Sequence, residues 1–397
     1  MDEYSEDRES ESIGDRSENE QDLITIPPLL PVPASIVKPN DALCDTCKGL
    51  GLNPGQFVVL PSDNKKGNEP DDLSELQLGL VKDIKKKSHC PLCRLVLTAF
   101  GGEVPSEAYG EEVVVTLTWK TEGPRPDVNQ PWNHIPQIRA LQPGAWTQGG
   151  KYISYESKHS FAEIRLLAND APIPNKAFFI RLIHDQIDFA KVRNWLTMCA
   201  IWHKEECDES PLPGFELKDP AIEVPHFRLI DVIDNCLVHA PRDCKYVALS
   251  YVWGRIDAKT ILRAFKNNLK VLEQPGGLLS FGAHLIPVTV RDTMEAVRRL
   301  NLRYLWVDSL CIVQDDEGPG GSKMESIAKM DLIYAGAYLT IMAATGTDAN
   351  AGLPGVRPGT RMLKQPIEEI GPGFRLGYNT KSQDFIDRAE YLKRGWT

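Results

Sequence analysis

Two pairs of cysteines carry the clearest chemistry in this sequence. Cys44-x-x-Cys47 is followed, after 42 residues, by Cys90-x-x-Cys93, which His89 directly precedes. The two-residue gap lets both sulfurs of a pair reach one ion, and two such pairs supply a tetrahedral thiolate site for zinc. The interval is wider than in a typical zinc ribbon, and His89 could replace a thiolate or lie just outside the ligands. The spacing predicts a structural zinc site, with two unrelated pairs of packing cysteines as the alternative.

A second group of metal-binding residue types follows further along the chain. Cys199, His203 and Cys207 are spaced so that, on a helix, they share one face. Cys236 or Cys244 could complete a metal site with them. The alternative is a buried stripe of side chains that includes one hydrogen-bonded histidine. We favour this alternative over a metal site.

Three short apolar runs, at 246–253, 304–307 and 339–343, predict the elements that position the remaining candidates. They lack a clean alternation, which is typical of strands covered on both faces in a parallel sheet. Helical patterns separate them: Thr289 could cap one helix, and Ser322 and Glu325 have the spacing of a capping box for another. The alternation predicts an α/β fold, a parallel sheet with flanking helices.

Ligands of open parallel sheets bind beyond the carboxyl ends of the strands. That rule selects candidate ligand-binding residues after the first two strands: Ser250, Tyr251, Trp253, Gly254, Asp308 and Gln314. Trp253 offers a stacking face and Asp308 a partly buried carboxylate. Asp308 and Cys311 are the catalytic candidates. The alternatives are that Trp253 is a core residue, that Asp308 caps a turn, and that Cys311 is a buried structural thiol.

Composition divides the chain and excludes several functions. We predict a disordered acidic and Pro-rich tail (1–40), a Cys-x-x-Cys module (41–100), a β-rich region plus a helix (101–210), a linker (211–225) and a C-terminal domain (226–397). The net charge of −10 argues against a nucleic-acid partner. No run is long enough to span a bilayer and no secretory signal opens the chain, so we expect a cytoplasmic protein with reduced thiols. Phosphate-loop, nucleophile-elbow and dinucleotide motifs are absent.

The C-terminal runs together resemble the heterokaryon incompatibility (HET) domain of filamentous fungi. The resemblance covers roughly residues 226–397, and the upstream cysteine pairs resemble segments that precede this domain in many family members. It is carried by 246–254, by 286–289 with Asp292, by 303–315, by Met330 with 333–334 and Ala337, by 352–354 and by 394–397.

The resemblance implies a role in fungal non-self recognition and regulated cell death. HET domains are similar to Toll/interleukin-receptor (TIR) domains, some of which cleave NAD, so a TIR- or flavodoxin-like parallel sheet is implied, behind a smaller mixed α+β cysteine-containing region. By that similarity the expected catalytic glutamate follows Thr397, where this sequence stops. We expect a C-terminally truncated HET domain, with a protein that is inactive as an NAD hydrolase as the alternative.

Three hypotheses follow from the residues and the resemblance. The first is a cell-death effector that binds or cleaves NAD. The second is a non-enzymatic module that works through other proteins or by self-association. The third is a zinc-organised scaffold.

Overall fold

The computed structural model describes residues 28–59, 75–100, 104–123, 137–153, 162–174, 176, 178–202, 217–257, 260–344, 346–361, 365–378 and 389–393. Most of the predicted acidic tail, His203, Cys207 and residues 394–397 lie outside this set. No helix in the described ranges combines the length and apolar character needed to cross a membrane. The chain forms two compact units.

The first unit, here called the cysteine unit, comprises residues 29–186, 344–347 and 357–397. Its helices are α1 (Asp45–Gly49), α2 (Val81–Lys86) and α3 (Pro91–Ala99). Short 3-10 turns cover Ala34–Ile36, Pro54–Phe57, Ala168–Asp170 and Glu390–Lys393. Its strands are β1 (Leu76–Leu80), β2 (Glu107–Ala108), β3 (Glu111–Glu122), β4 (Ile138–Thr147), β5 (Arg165–Leu166), β11 (Ile367–Gly371) and β12 (Phe374–Gly377).

An antiparallel sheet organises the cysteine unit. β3 contains a β-branched run at 113–119 within the region predicted to be β-rich, and it pairs with β1, β2 and β4. Its residues Val113, Val115 and Leu117 alternate into the core, as one covered face of an antiparallel sheet requires. A second small sheet has three strands: β5 pairs with β12, and β12 forms a hairpin with β11.

The second unit, here called the central unit, comprises residues 187–343 and 348–356. Its helices are α4 (Phe189–Trp202), α5 (Pro220–Glu223), α6 (Leu269–Leu272), α7 (Gly277–Ser280), α8 (Val288–Arg299), α9 (Asp308–Cys311), α10 (Ser322–Ala328) and α11 (Met330–Ala335), with a 3-10 turn at Ala283–Leu285. Its strands are β6 (Arg228–Asp231), β7 (Cys236–His239), β8 (Tyr246–Ser250), β9 (Tyr304–Trp306) and β10 (Leu339–Met342).

The sheet of the central unit has the strand order β10-β8-β9-β6-β7. β8 is parallel to both β9 and β10, as the three apolar runs predict. Every residue of β8 is buried, which explains why its sequence does not alternate. β6 is antiparallel to β9 and to β7, so the sheet is mixed rather than wholly parallel. The chain as a whole is therefore a mixed α/β protein.

The helices form where their apolar spacing places them, but their starts differ from the prediction. α8 buries Val290, Met294 and Val297 against the sheet. Thr289 lies inside α8 rather than capping it, because Pro287 occupies the cap position and proline suits a helix start. The predicted capping box is wrong: α10 begins at Ser322 after Gly321, without a side-chain cap.

The two units do not follow the chain order that we predicted. The predicted C-terminal domain 226–397 contributes β6 to β10 to the central unit, whereas β11 and β12 belong to the cysteine unit. The pairing of β12 with β5, which is distant from it in the chain, places this hairpin in the cysteine unit.

Candidate functional site

The four predicted metal ligands converge in the cysteine unit. The sulfurs of Cys44, Cys47, Cys90 and Cys93 all lie within 4.8 Å of one another. Cys93 Sγ is 3.9 Å from Cys44 Sγ and 3.6 Å from Cys47 Sγ. Four sulfurs at ~2.3 Å from a central zinc ion are separated by about 3.8 Å along each tetrahedral edge. The spacing therefore fits four-thiolate coordination, and all four cysteines are free of disulfides.

Two equivalent loop-to-helix turns position these sulfurs. Cys44 and Cys90 occupy the positions just before α1 and α3, and Cys47 and Cys93 lie in the first turns of those helices. Lys48 N donates to Cys44 O at 2.9 Å, and Arg94 N donates to Cys90 O at 3.1 Å. In each turn the start of the helix therefore brings the two thiols of the pair to the same side, facing the other pair.

The crowding of the thiols shifts the pKa values of Cys47 and Cys90 in a way that a cation would relieve. Hydrogen bonding with the Cys90 sulfur, and then with the Cys93 sulfur, raises the pKa of Cys47 because a second negative sulfur is disfavoured there. The pKa of Cys90 is lowered by hydrogen bonds from the Cys47 and Cys93 thiols and from backbone N–H groups. A metal ion held by these sulfurs would replace this mutual repulsion with attraction.

The other predicted metal residues take no part in this cluster. His89 is exposed, and its carbonyl accepts a hydrogen bond from Ala42 N at 3.1 Å. Cys199 lies in α4, while its predicted companions His203 and Cys207 fall outside the described residues. Among the described residues, the four-cysteine cluster is the group of metal-ligating side chains that lie close enough to share an ion.

The strand-end candidates meet at the carboxyl edge of β8 and β9. Trp253 Nε1 donates a 3.0 Å hydrogen bond to Asp308 Oδ2, and Ser309 N donates to Asp308 Oδ1 at 2.7 Å. Trp253 and Asp308 are each partly buried. Gly254 has a φ of +69°, which glycine adopts without strain, so the chain turns sharply behind the indole. The predicted convergence of the two strand ends is therefore present.

Several other candidates at this edge are bonded to neighbouring protein groups. The Tyr251 hydroxyl and Ser309 Oγ are 3.0 Å apart in a buried contact. Burial raises the pKa of Tyr251, and the nearby Asp308 carboxylate adds to that effect. Gln314 Nε2 donates to the carbonyls of Asp308 and Ile312, each at 3.0 Å. These side chains hold the loop after β9 in place.

Ser250 and Cys311 lie deeper than the Trp253–Asp308 pair. Ser250 ends β8, and its carbonyl accepts Ala343 N at 2.8 Å. Cys311 Sγ accepts a hydrogen bond from Val307 N at 3.3 Å. Burial raises the pKa of Cys311 to about 12. A thiol in that state is a poor nucleophile at neutral pH, which favours the structural alternative for Cys311.

Helix α8 holds the loop at 349–354, which belongs to the same family resemblance. Gly352 N donates to Thr289 Oγ1 at 3.0 Å, and Leu353 N donates to Asp292 Oδ2 at 2.9 Å. Both acceptors are buried. Thr289 and Asp292 therefore fix the backbone conformation of this loop, which is a structural role.

Sequence reasoning missed one network that adjoins the cysteines. Arg94 Nη1 and Nη2 donate to the two carboxylate oxygens of Asp41 at 2.7 and 2.8 Å. Arg94 also donates to both oxygens of Glu368 in β11, at 3.0 and 2.5 Å. Arg94 follows Cys93 directly and Asp41 precedes Cys44 closely, but nothing in the sequence connects them with Glu368.

The fold and the two sites together define a mixed α/β protein with a four-thiol cluster that can hold a metal ion. Residues 246–397 match the family model described as Heterokaryon incompatibility protein (HET). This stretch, which begins at the first residue of β8, therefore carries the HET domain that the sequence resemblance predicted. Comparisons with curated proteins and with solved structures gave no match.

Proposed function

We propose that this protein is an effector of heterokaryon incompatibility, acting in fungal non-self recognition and regulated cell death. We further propose that it binds a ligand at the edge where β8 and β9 end. The observation that carries the ligand proposal is the partly buried Trp253–Asp308 pair at that edge. The proposal places the protein in the cytoplasm, where thiols stay reduced.

The chemistry of this edge suits a nucleotide such as NAD. A partly exposed indole can stack on a base, and a carboxylate can accept hydrogen bonds from ribose hydroxyls, as in dinucleotide-binding folds. The left-handed turn at Gly254 permits close approach of the backbone. The three parallel strands also support a TIR-like relationship of the central unit.

Binding to NAD tests this proposal directly. Isothermal titration with NAD and measurement of released nicotinamide would be carried out on the wild type, Asp308→Asn and the matched control Asp331→Asn, whose parent aspartate is exposed on α11. Loss of a hydrogen bond to a charged group costs ~1.5–3 kcal/mol, so we expect affinity to fall about tenfold or more in Asp308→Asn. The control should bind like the wild type. If the wild type shows no binding at millimolar NAD, the ligand proposal is wrong.

A non-enzymatic, self-associating module is the second candidate. It is favoured by the internal bonds of Tyr251, Ser309, Cys311 and Gln314, which occupy the polar groups that a catalytic centre would use. Analytical ultracentrifugation of the wild type and Asp308→Asn distinguishes the two. Assembly that Asp308→Asn leaves intact, combined with an absence of NAD binding, would establish this candidate over the first.

We also propose that the four cysteines bind a structural zinc ion. The sulfur–sulfur distances carry this proposal. Four protein thiolates would fill every position of a tetrahedral ion, so zinc would add folding energy rather than an open catalytic position. We expect one zinc per chain by elemental analysis of the purified protein, loss of zinc in Cys93→Ser and retention in Cys199→Ser. Equal zinc content in both variants would refute the assignment.

A further inference from the structure

The four-cysteine site lies beside a charged bridge to the far end of the chain. Arg94 is the residue after Cys93 on α3, and Asp41 lies three residues before Cys44. The Arg94 side chain is 18% exposed. Its five N–H groups bond to Asp41, to Glu368 and to the Ser88 carbonyl. A guanidinium has five donors, so this bridge satisfies Arg94 completely.

The bridge fixes the hairpin of β11 and β12 to the cysteine turns. Glu368 is a buried residue of β11, and Lys38 Nζ also donates to it at 3.1 Å. At the other end of α3, the Tyr378 hydroxyl donates to the Thr98 carbonyl at 2.8 Å. The same helix therefore carries two metal-binding thiols at its start and holds the hairpin at both of its ends.

Both halves of the bridge depend on the geometry that the cysteines impose. Asp41 belongs to the first cysteine turn and Arg94 to the second, and Ala42 N donates to His89 O where the turns meet. A metal ion that joins the turns closes the loop between Cys47 and Cys90, which otherwise costs entropy. With the turns joined, the Asp41 carboxylate and the Arg94 guanidinium would already lie close together, so their ion pair would cost less conformational entropy. The Arg94 guanidinium would then also be oriented toward Glu368.

We infer that metal binding by the four cysteines and docking of the β11–β12 hairpin are coupled: the metal pre-organises the Asp41–Arg94–Glu368 bridge, and the bridge in turn strengthens metal binding. This inference rests on the proposed zinc site. It extends that site from local structure to control of a segment within the HET-matched stretch. Coupling between two binding events is reciprocal, so each must favour the other by the same factor.

The reciprocal effect gives a test in the full-length protein. Zinc affinity would be measured by competition with a chromophoric chelator for the wild type, Glu368→Gln and Glu369→Gln. Glu369 is the matched control because it neighbours Glu368 on β11 but lies outside the Arg94 bridge. Hydrogen bonds to charged groups contribute ~1.5–3 kcal/mol, so we expect Glu368→Gln to weaken zinc binding about tenfold or more, with Glu369→Gln unchanged.

Hydrogen–deuterium exchange measures the other direction of the coupling. Removal of zinc should release amide protection in residues 365–378, while peptides of β8 and β9 keep theirs. Glu368→Gln should release the same hairpin peptides and still carry zinc at saturating concentration. A chain that binds no zinc overturns both the zinc proposal and the coupling. A chain that binds zinc, but whose affinity is the same in Glu368→Gln and whose hairpin stays protected after chelation, overturns the coupling alone.

Discussion

Replacement of Asp292 by alanine should destabilise the central unit markedly. Asp292 is 2% exposed, and its carboxylate accepts the N–H of Leu353, which is itself 9% exposed. The substitution leaves that buried N–H without this acceptor and opens a small cavity. A buried donor that loses its partner costs ~1–3 kcal/mol, and more when the partner is charged. We therefore expect a loss of about 2–3 kcal/mol in the free energy of unfolding.

Thr289→Val provides a graded companion to this change. Valine keeps the shape of threonine but removes the oxygen that accepts Gly352 N. Because the lost hydrogen bond is neutral, we expect a smaller cost of about 1–2 kcal/mol. The two acceptors hold successive N–H groups of one loop, so their effects should not be additive in the double variant.

The measurement must isolate the central unit, since a chain of two units need not unfold in one step. Urea unfolding followed by hydrogen exchange of peptides from β8 and β9 reports that unit alone. A loss of 2–3 kcal/mol in a domain of this size lowers its melting temperature by about 4–12 °C. Asp331→Ala, at an exposed position of α11, is the control. If Asp292→Ala stayed within about 0.5 kcal/mol of that control, the assignment of Asp292 to the fold would be refuted.

Three further outcomes follow from the structure. Cys311 should resist iodoacetamide at pH 8 in the folded protein, because the thiol is buried with a pKa of about 12; rapid labelling by peptide mass spectrometry would contradict this. Burial raises the pKa of Glu163, but hydrogen bonds with Glu122, Lys120 and Arg165 outweigh it and hold that pKa at about 2. Ionised Glu163 therefore stabilises the fold above its unfolded pKa of ~4.3, and this contribution is lost as pH falls towards 2. Glu163→Gln should thus destabilise the protein in denaturant melts at pH 7, and the difference should shrink near pH 2; an equal difference at both pH values would count against it. A fragment of residues 226–397 should leave 365–378 unprotected from protease, since β12 loses its partner β5; protection of that segment in the fragment would show that it folds without β5.

The parts predicted well from sequence are those in which neighbouring residues act together. The run at 246–249 is apolar throughout because β8 is covered on both faces, and α8 shows helical spacing because one side packs on the sheet. The Cys-x-x-Cys spacing predicted the metal cluster because each pair forms within a single turn. The helix starts were less predictable: the Ser322–Glu325 spacing suits a capping box, yet Gly321 occupies the cap.

Local pattern by itself determined the apolar strands, the helices between them, the paired thiols and the family of the C-terminal stretch. Tertiary structure alone decided that β6 and β7 make the sheet mixed, that β11 and β12 join the cysteine unit, and that Arg94 meets Glu368, 274 residues away in the chain. The physical reason is that strand and helix patterns record which face of a segment is covered, whereas partners distant in sequence are set by the packing of whole elements. A buried charge bridge such as Asp41–Arg94–Glu368 cannot be predicted from sequence periodicity, because each of its members is a single polar residue in an otherwise ordinary segment.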